Sequence, residues 1–151
     1  KTGVRTFEAA AFLRRCGADV TRVRKMFREH VEDYRAKGEA IRNAELFREH
    51  FAISVCPSEG LDSPTVVGAQ AANELLNIIG VKASFVLTDY RNTIYISARS
   101  IDEINVQIVM ERLGGGGHLN IAGAQLEHYS ITEAKDVLKQ TLQKMLDEGD
   151  I

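Results

Sequence analysis

The sequence predicts an α/β fold in which a mixed β-sheet has flanking helices and is preceded by a helical connector. In the first third of the chain, apolar residues recur at three- and four-residue steps, which is typical of helices. From residue 50 onward, β-rich runs alternate with helical segments, and turn residues separate them. No internal repeat of solenoid period is present, so one compact domain with a mixed sheet is the natural assembly.

The helical part is predicted to occupy about the first 48 residues. Thr6 is a suitable N-cap and Gly17 a suitable stop, which predicts a short helix between them. From Thr21 onward a single apolar stripe indicates one long helix or two abutting ones. Because the other positions are mostly charged, we expect residues 20–48 to form a solvated connector that ends near Phe51.

The second part is predicted to run strand, helix, two strands, helix, glycine loop, strand, helix. The first strand is closed by Pro57, and Ser63 followed by Pro64 predicts a helix that continues to Gly80. A polar bend at residues 89–92 predicts a hairpin. The remaining segments are expected to be strands at 81–90, 93–98 and 122–128 and helices at 104–113 and 132–146.

The charge distribution and the hydropathy of the sequence restrict the classes of ligand and of location that the chain can have. The net charge is −2, with 12 basic against 8 acidic residues in 1–50 and 7 against 13 in 51–151. This imbalance argues against a surface for long duplex nucleic acid, but it leaves a small anionic ligand open. No stretch approaches the roughly 20 apolar residues that cross a bilayer, and no signal peptide opens the chain. We therefore expect a soluble, cytoplasmic piece, and the missing initiator methionine suggests a fragment.

The most informative segment is a run of glycines that ends in a histidine: Gly114, Gly115, Gly116, Gly117 and His118. Ordering glycine costs more backbone entropy than ordering any other residue, so a ligand is a reason to keep four of them. Their N–H groups could converge on one phosphate, and the histidine could add a donor. A flexible helix-to-strand turn is the alternative. The segment follows a helix and lacks Gly-Lys-Ser/Thr, so neither a P-loop nor a Rossmann fingerprint matches.

Polar residues upstream of the glycines are candidates to orient the same ligand: Ser97, Arg99, Ser100 and Asn105. Arg99 suits two-pronged binding of phosphate oxygens, while the serines are hydroxyl donors. For Arg99 a surface pair with Asp102 or Glu103 is an equally good interpretation. For Asn105 a helix cap is favoured over contact with a base.

Signals for a reaction centre are absent from the sequence. The four histidines show no His-x-x-x-His or His-Glu-x-x-His spacing, and no Asp-x-Asp or Asp-His-His cluster is present. Cys56 and its neighbouring serines lack a base in any recognised arrangement, and we expect both cysteines to be reduced and mostly packed. The residues therefore predict binding chemistry without catalytic residues and without a metal site.

These motifs resemble the DHH-associated domain of DHH superfamily phosphoesterases, and within them the cyclic-di-AMP phosphodiesterases of the GdpP type. The matching segments are Ser97-Ala98-Arg99-Ser100, Asn105-Val106-Gln107, Gly114-Gly115-Gly116-Gly117-His118 and Ala122-Gly123-Ala124. The opening run from Thr2 to Ala10 resembles the end of the preceding catalytic domain. The resemblance thus divides the chain into a remnant of the DHH catalytic domain at 1–19, a helical linker at 20–49 and a substrate-binding domain at 50–151.

The resemblance implies a division of labour within a parent phosphodiesterase. In such enzymes Mn²⁺ bound by the catalytic domain activates water, so this chain is expected to bind no cofactor itself and to be inactive alone. Its nine candidate residues would hold a cyclic dinucleotide or a short oligonucleotide. The missing DHH catalytic domain of the same polypeptide is the expected partner, a homodimer is left open, and the parent would be anchored in the bacterial cell membrane.

Two alternatives stay open at this point. The superfamily also includes RecJ-type exonucleases and small-oligonucleotide ribonucleases, so the same lobe could serve an oligonucleotide hydrolase. A related module occurs at the C-terminus of alanyl-tRNA synthetase, which makes a non-catalytic RNA-binding or self-association module the third hypothesis. A preference of the full-length protein for cyclic or for linear substrates distinguishes the cyclic-dinucleotide phosphodiesterase from the oligonucleotide hydrolase. Affinity for tRNA without affinity for dinucleotides would indicate the RNA-binding module.

Overall fold

A computed structural model describes residues 3–101 and 103–151 and divides the chain into two compact units, Lys1–His30 and Val31–Ile151. The first unit contains helices α1, Val4–Arg15, and α2, Val20–Met26, and neither helix buries a residue. Helix α1 begins earlier than predicted, because Gly3 is its N-cap and the Thr6 N–H already donates to the Gly3 carbonyl at 3.0 Å. Gly17 ends the helix as predicted, with a φ of +96°.

The second unit is built on a mixed sheet of six strands in the described residues, in the order β1-β2-β3-β4-β6-β5. Strands β2 and β3 are parallel, and every other neighbouring pair is antiparallel. This confirms the predicted α/β class. The elements are α3 Val31–Arg42, β1 Glu45–Phe47, β2 Phe51–Cys56, α4 Pro64–Leu75, β3 Ala83–Tyr90, β4 Thr93–Ser100, α5 Val106–Arg112, β5 Gly116–His118, β6 Ile121–Glu127 and α6 Ile131–Glu148.

The predicted hairpin joins β3 to β4. Its two turn residues, Arg91 and Asn92, both have positive φ values, of 53° and 59°. Two consecutive left-handed residues make the type I′ turn whose twist matches that of the flanking strands. The hairpin expected at residues 89–92 is therefore confirmed.

Two helical layers cover the sheet. Helices α5 and α6 pack over the core formed by the even-numbered residues of β4, which include Ile94, Ile96 and Ala98. On the opposite face α3 packs on β2, and α4 packs on β2, β3 and β4. The buried hydroxyls of Ser54 and Ser84 donate to backbone carbonyls of these two helices and so fix them to the sheet.

Three sequence-based expectations are corrected in this unit. Helix α3 is not a solvated connector, since it buries Ala36 and Ala40 against the sheet. Residues 45–47, expected within the connector, form the short edge strand β1. Helix α4 ends at Leu75 rather than near Gly80, because tight turns follow it and leave the Ile79 side chain fully exposed.

Strand β1 is tied to α6 by a charged cluster that gives a testable pH dependence. One carboxylate oxygen of Glu45 lies 2.9 Å from the Lys139 ammonium and 3.1 Å from that of Lys135. Partial burial raises the pKa of Glu45, but the hydrogen bonds and charges of the two lysines outweigh burial and leave it below the ordinary 4.5.

Replacing Glu45 with glutamine is expected to reduce the free energy of unfolding at neutral pH by less than about 1 kcal/mol, since the pair is partly exposed. A carboxyl whose folded-state pKa is lowered stabilises the protein above its unfolded pKa, and this contribution is lost as the pH falls through the folded value. The difference between wild type and Glu45→Gln in urea unfolding should therefore shrink below about pH 4.5. A constant difference from pH 7 to pH 3 would contradict the assignment.

Candidate functional site

The first two glycines of the run end helix α5. The Gly114 N–H donates to the Glu111 carbonyl at 3.0 Å and the Gly115 N–H to the Met110 carbonyl at 2.8 Å. With Gly114 at a φ of +78°, this is the Schellman arrangement that closes a helix on a left-handed residue. These two N–H groups are therefore used inside the protein and are not free to bind phosphate.

Gly115 and Gly117 are required by close contact with strand β6. A Cβ on Gly115 would lie 2.1 Å from the Gly123 carbonyl oxygen and 2.6 Å from the Ala124 Cα. A Cβ on Gly117, whose φ is +151°, would lie 2.5 Å from the Ala122 Cα. Both glycines let the chain pass against the sheet, and the second half of the expected loop is in fact strand β5.

Gly116 differs from the other three glycines. A Cβ on this residue would meet nothing within 4 Å, and its φ is not in the left-handed region. Neither local packing nor backbone conformation requires a glycine here. Gly116 lines a surface cleft, where the missing side chain leaves its backbone open to close approach.

The cleft has a volume of about 480 Å³ and lies on the face of β4 and β6 opposite α5 and α6. Its floor includes Tyr95 and Ser97 of β4 and Gln125 of β6, and Thr65 of α4 borders it. The first three glycines of the run also line it, so Ser97 and the glycine run border the same cleft. The lining includes two hydroxyl-bearing side chains, Thr65 and Ser97, and the Gln125 amide, which can hydrogen-bond a polar ligand.

Arg99 lies on the same face of β4 as Ser97, two residues further along the strand. Its Nε donates to Asn73 Oδ1 of α4 at 3.1 Å, and its Nη1 donates to the Ala98 carbonyl at 2.9 Å. Within 3–101 and 103–151 its Nη2 has no hydrogen-bond partner. Burial lowers the pKa of Arg99, but a guanidinium stays charged at neutral pH.

The alternative prediction for Arg99 is a surface ion pair with Asp102 or Glu103. Glu103 instead pairs with Lys82, at 2.7 Å. Asp102, the other residue considered, lies outside the described residues, as do Lys1 and Thr2 at the start of the chain. The structure therefore gives Arg99 an amide partner on α4, which holds its guanidinium in one orientation.

Ser100 and Asn105 support the elements that border the glycine run. The buried Ser100 hydroxyl donates to the Leu119 carbonyl at 3.4 Å, in the turn between β5 and β6. Asn105 caps α5, since its Oδ1 accepts the Gln107 N–H at 3.1 Å, which confirms the favoured role. His118 is exposed at the end of β5. Direct contact of these three side chains with a ligand stays a prediction.

Sequence reasoning missed the other side chains that shape the cleft, namely Thr65, Tyr95 and Gln125. Tyr95 lies directly opposite Gln125 in the β4–β6 register. The alternation of side chains along β4 could have indicated Tyr95, because Tyr95, Ser97 and Arg99 are alternate residues of the strand and so lie on the same face. No comparable signal in the sequence indicates that Thr65 or Gln125 borders the same space.

The described residues offer no metal site, and the Cys56 thiol is not activated. Within residues 3–101 and 103–151, no group of three or more His, Cys, Asp or Glu side chains could hold a metal ion. Burial, with a smaller effect of the Glu39 charge, raises the pKa of the Cys56 thiol to about 11, so it is protonated at neutral pH. Cys16 is exposed rather than packed, which corrects the expectation for that residue.

Membrane insertion is not indicated by the helices in the described part of the chain. None of them combines the length and the apolar character that crossing a bilayer requires.

The chain is similar over almost its whole length to curated phosphodiesterases. It is 41% identical over 151 residues to the cyclic-di-AMP phosphodiesterase GdpP of Bacillus subtilis strain 168, covering 99% of this chain and 23% of that protein. It is 40% identical over 150 residues to GdpP of Geobacillus thermodenitrificans strain NG80-2, with the same coverage. The chain therefore spans less than a quarter of the length of these relatives.

The fold is shared with a solved structure of low sequence identity. An exopolyphosphatase-related protein from Bacteroides fragilis superimposes with a TM-score of 0.81 at 22% identity, covering 95% of this chain and 44% of that chain. The model of the DHHA1 domain matches residues 50–145, the part that contains the cleft and the glycine run. On this match, and in agreement with the resemblance seen in its motifs, the chain belongs to the DHHA1 domain family.

Proposed function

We propose that this chain is the substrate-binding part of a metal-dependent phosphodiesterase that hydrolyses cyclic-di-AMP to linear pApA. The observation that carries the proposal is the 41% identity to a cyclic-di-AMP phosphodiesterase over 99% of the chain. The cleft supports it, since a glycine without a packing role lies beside a serine and near a charged arginine. These are the groups that bind a phosphodiester.

The proposed contacts follow from the groups that the fold leaves available. The phosphate would lie against Gly116 in the cleft, within reach of the Ser97 hydroxyl, and the exposed His118 ring would add a donor. The Nη2 amino group of Arg99 would complete the site. Because Asn73 and the Ala98 carbonyl already hold this guanidinium, little side-chain entropy is lost when it binds an anion.

The chemistry of bond cleavage would be supplied by the rest of the parent protein. The described residues do not fit a manganese site, so we assign no step to a metal on this chain. Its contribution would be to bind the dinucleotide and to orient the scissile phosphodiester for attack by water activated elsewhere. A DHH catalytic domain that ends within residues 1–19, and a membrane anchor in the parent, belong to the same proposal.

The test is the substrate preference of the full-length protein with Mn²⁺. We expect kcat/KM for cyclic-di-AMP to exceed that for linear oligonucleotides of two to five residues, with pApA as the product. A preference for linear oligonucleotides would instead indicate the exonuclease alternative. Affinity for tRNA, without turnover or binding of either nucleotide, would indicate the RNA-binding module and contradict the proposal.

Replacing Arg99 with alanine in the full-length protein is expected to lower kcat/KM for cyclic-di-AMP about 10- to 100-fold, because a hydrogen bond to a charged group contributes about 1.5–3 kcal/mol. A matched control is Arg112→Ala. Arg112 is paired with Glu148 at 2.7 Å, on the side of α5 and α6, which cover the opposite face of the sheet. Equal losses in the two variants would contradict the proposed role of Arg99.

A further inference from the structure

One end of the cleft is formed by a cross-strand pair that has no assigned role. Tyr95 of β4 and Gln125 of β6 are directly opposite each other, and both side chains line the cleft. Tyr95 is half-buried and Gln125 is exposed. An aromatic ring and a primary amide therefore lie side by side on the open face of the sheet.

Among residues 3–101 and 103–151, the fold uses neither polar group of this pair. The Gln125 amide makes no hydrogen bond to any other group of residues 3–101 and 103–151, and the same holds for the Tyr95 hydroxyl. The Tyr95 ring is supported at its side by Tyr90, whose ring centroid is 6.5 Å away at an interplanar angle of 51°. This support holds the ring in place, and the cleft borders it.

The pair lies at a suitable distance from the proposed phosphate contacts. Ser97 is two residues from Tyr95 along β4, which corresponds to about 7 Å at the rise of an extended strand. Gly123 lies opposite Ser97 and has no side chain that could fill the space between Ser97 and the Tyr95–Gln125 pair. A nucleoside whose phosphate lies at Ser97 and Gly116 would thus place its base over Tyr95 and Gln125.

We propose that Tyr95 and Gln125 form a nucleobase subsite that selects adenine, an inference that rests on the proposed function of the cleft. The ring of Tyr95 contacts the face of the base, as aromatic side chains do with unpaired bases. The Gln125 amide offers one acceptor and one donor, which match the N6 amino group and the N7 acceptor of adenine.

The same geometry disfavours guanine. The corresponding edge of guanine carries two acceptors, O6 and N7, which arginine or lysine pairs with best. Among the described residues that line the cleft beside Tyr95 and Gln125 there is no arginine or lysine, and Arg99 is assigned to the phosphate. The Gln125 amide can donate to only one of those acceptors while its own oxygen faces the other. The hydrogen-bonding groups of the subsite therefore complement adenine, whereas with guanine the Gln125 oxygen would face another acceptor.

The test compares the binding of pApA and pGpG to the full-length protein by calorimetry, without added metal. We expect wild type to bind pApA about 10- to 100-fold more tightly than pGpG, and Gln125→Ala to bring the ratio close to one by weakening pApA. Tyr95→Leu is expected to weaken both ligands, and Tyr95→Phe neither. Circular dichroism and thermal unfolding of each variant would verify that it is folded.

The failure of this inference and that of the proposed function are distinguishable. If folded Gln125→Ala keeps the wild-type ratio while Gly116→Val loses both ligands, the cleft binds nucleotides but the assignment of the base to Gln125 is overturned. If Gly116→Val binds both ligands as wild type does, the proposed function of the cleft is itself wrong. Loss of the adenine preference in Gln125→Ala alone would support both.

Discussion

Replacing Gly116 with valine is expected to lower the affinity of the full-length protein for cyclic-di-AMP by at least about 100-fold without unfolding it. The added Cβ would meet no protein atom within 4 Å, and the backbone conformation is open to other residues. The side chain would instead occupy the space beside Ser97 that we assign to phosphate. Excluding the phosphate from this space would remove its hydrogen bonds, and each hydrogen bond to a charged group contributes about 1.5–3 kcal/mol.

Calorimetry and the rate of hydrolysis with Mn²⁺ would measure this loss, and the melting temperature would report on the fold. Gly116→Ala provides a graded comparison, since a single methyl group should cause a smaller loss than valine. Unchanged binding in a folded Gly116→Val protein would show that phosphate does not approach this part of the backbone.

Replacing Gly115 with alanine is expected to act in the opposite way, by destabilising the fold. The added Cβ would lie 2.1 Å from the Gly123 carbonyl oxygen, 2.6 Å from the Ala124 Cα and 2.7 Å from the Ala124 Cβ. The first two are backbone atoms of strand β6, which is held by its pairing with β4. Forcing an extra methyl group into packed structure costs about 1–3 kcal/mol. The melting temperature and the urea midpoint should both fall.

Gly116→Ala is the matched control for this experiment, because it adds the same atom one residue away in open space. A melting temperature that falls for Gly115→Ala and stays constant for Gly116→Ala would separate a packing glycine from a ligand glycine. Equal stability of the two variants would contradict the close contact between residue 115 and strand β6.

Local chemistry was sufficient to predict several elements of the second unit. The bend at residues 89–92 was recognisable because it is polar and contains Asp89 and Asn92, residue types that favour turns, and the turn has positive φ at both central residues. The cap on α5 was recognisable because Asn105 precedes the helical pattern directly. Both features depend on only a few consecutive residues.

Features that depend on strand pairing could not be predicted in the same way. The four glycines look equivalent in the sequence, and only the contact of β5 with β6 shows that Gly115 and Gly117 pack while Gly116 does not. The pairing of Tyr95 with Gln125 joins residues that are far apart in the chain. Strand β1 has only three residues and is held in place by pairing with β2 and by the lysines of α6.

The central claim is that nucleotide phosphate lies between Ser97 and the end of the glycine run. The most direct measurement is a titration of the isotope-labelled 151-residue chain with cyclic-di-AMP, followed by amide NMR. The proposed site predicts saturable shifts at Ser97, Gly116, Gly117 and His118. Saturable shifts confined to the basic residues of the first unit, such as Arg24 and Lys25, with these four amides unchanged, would contradict it.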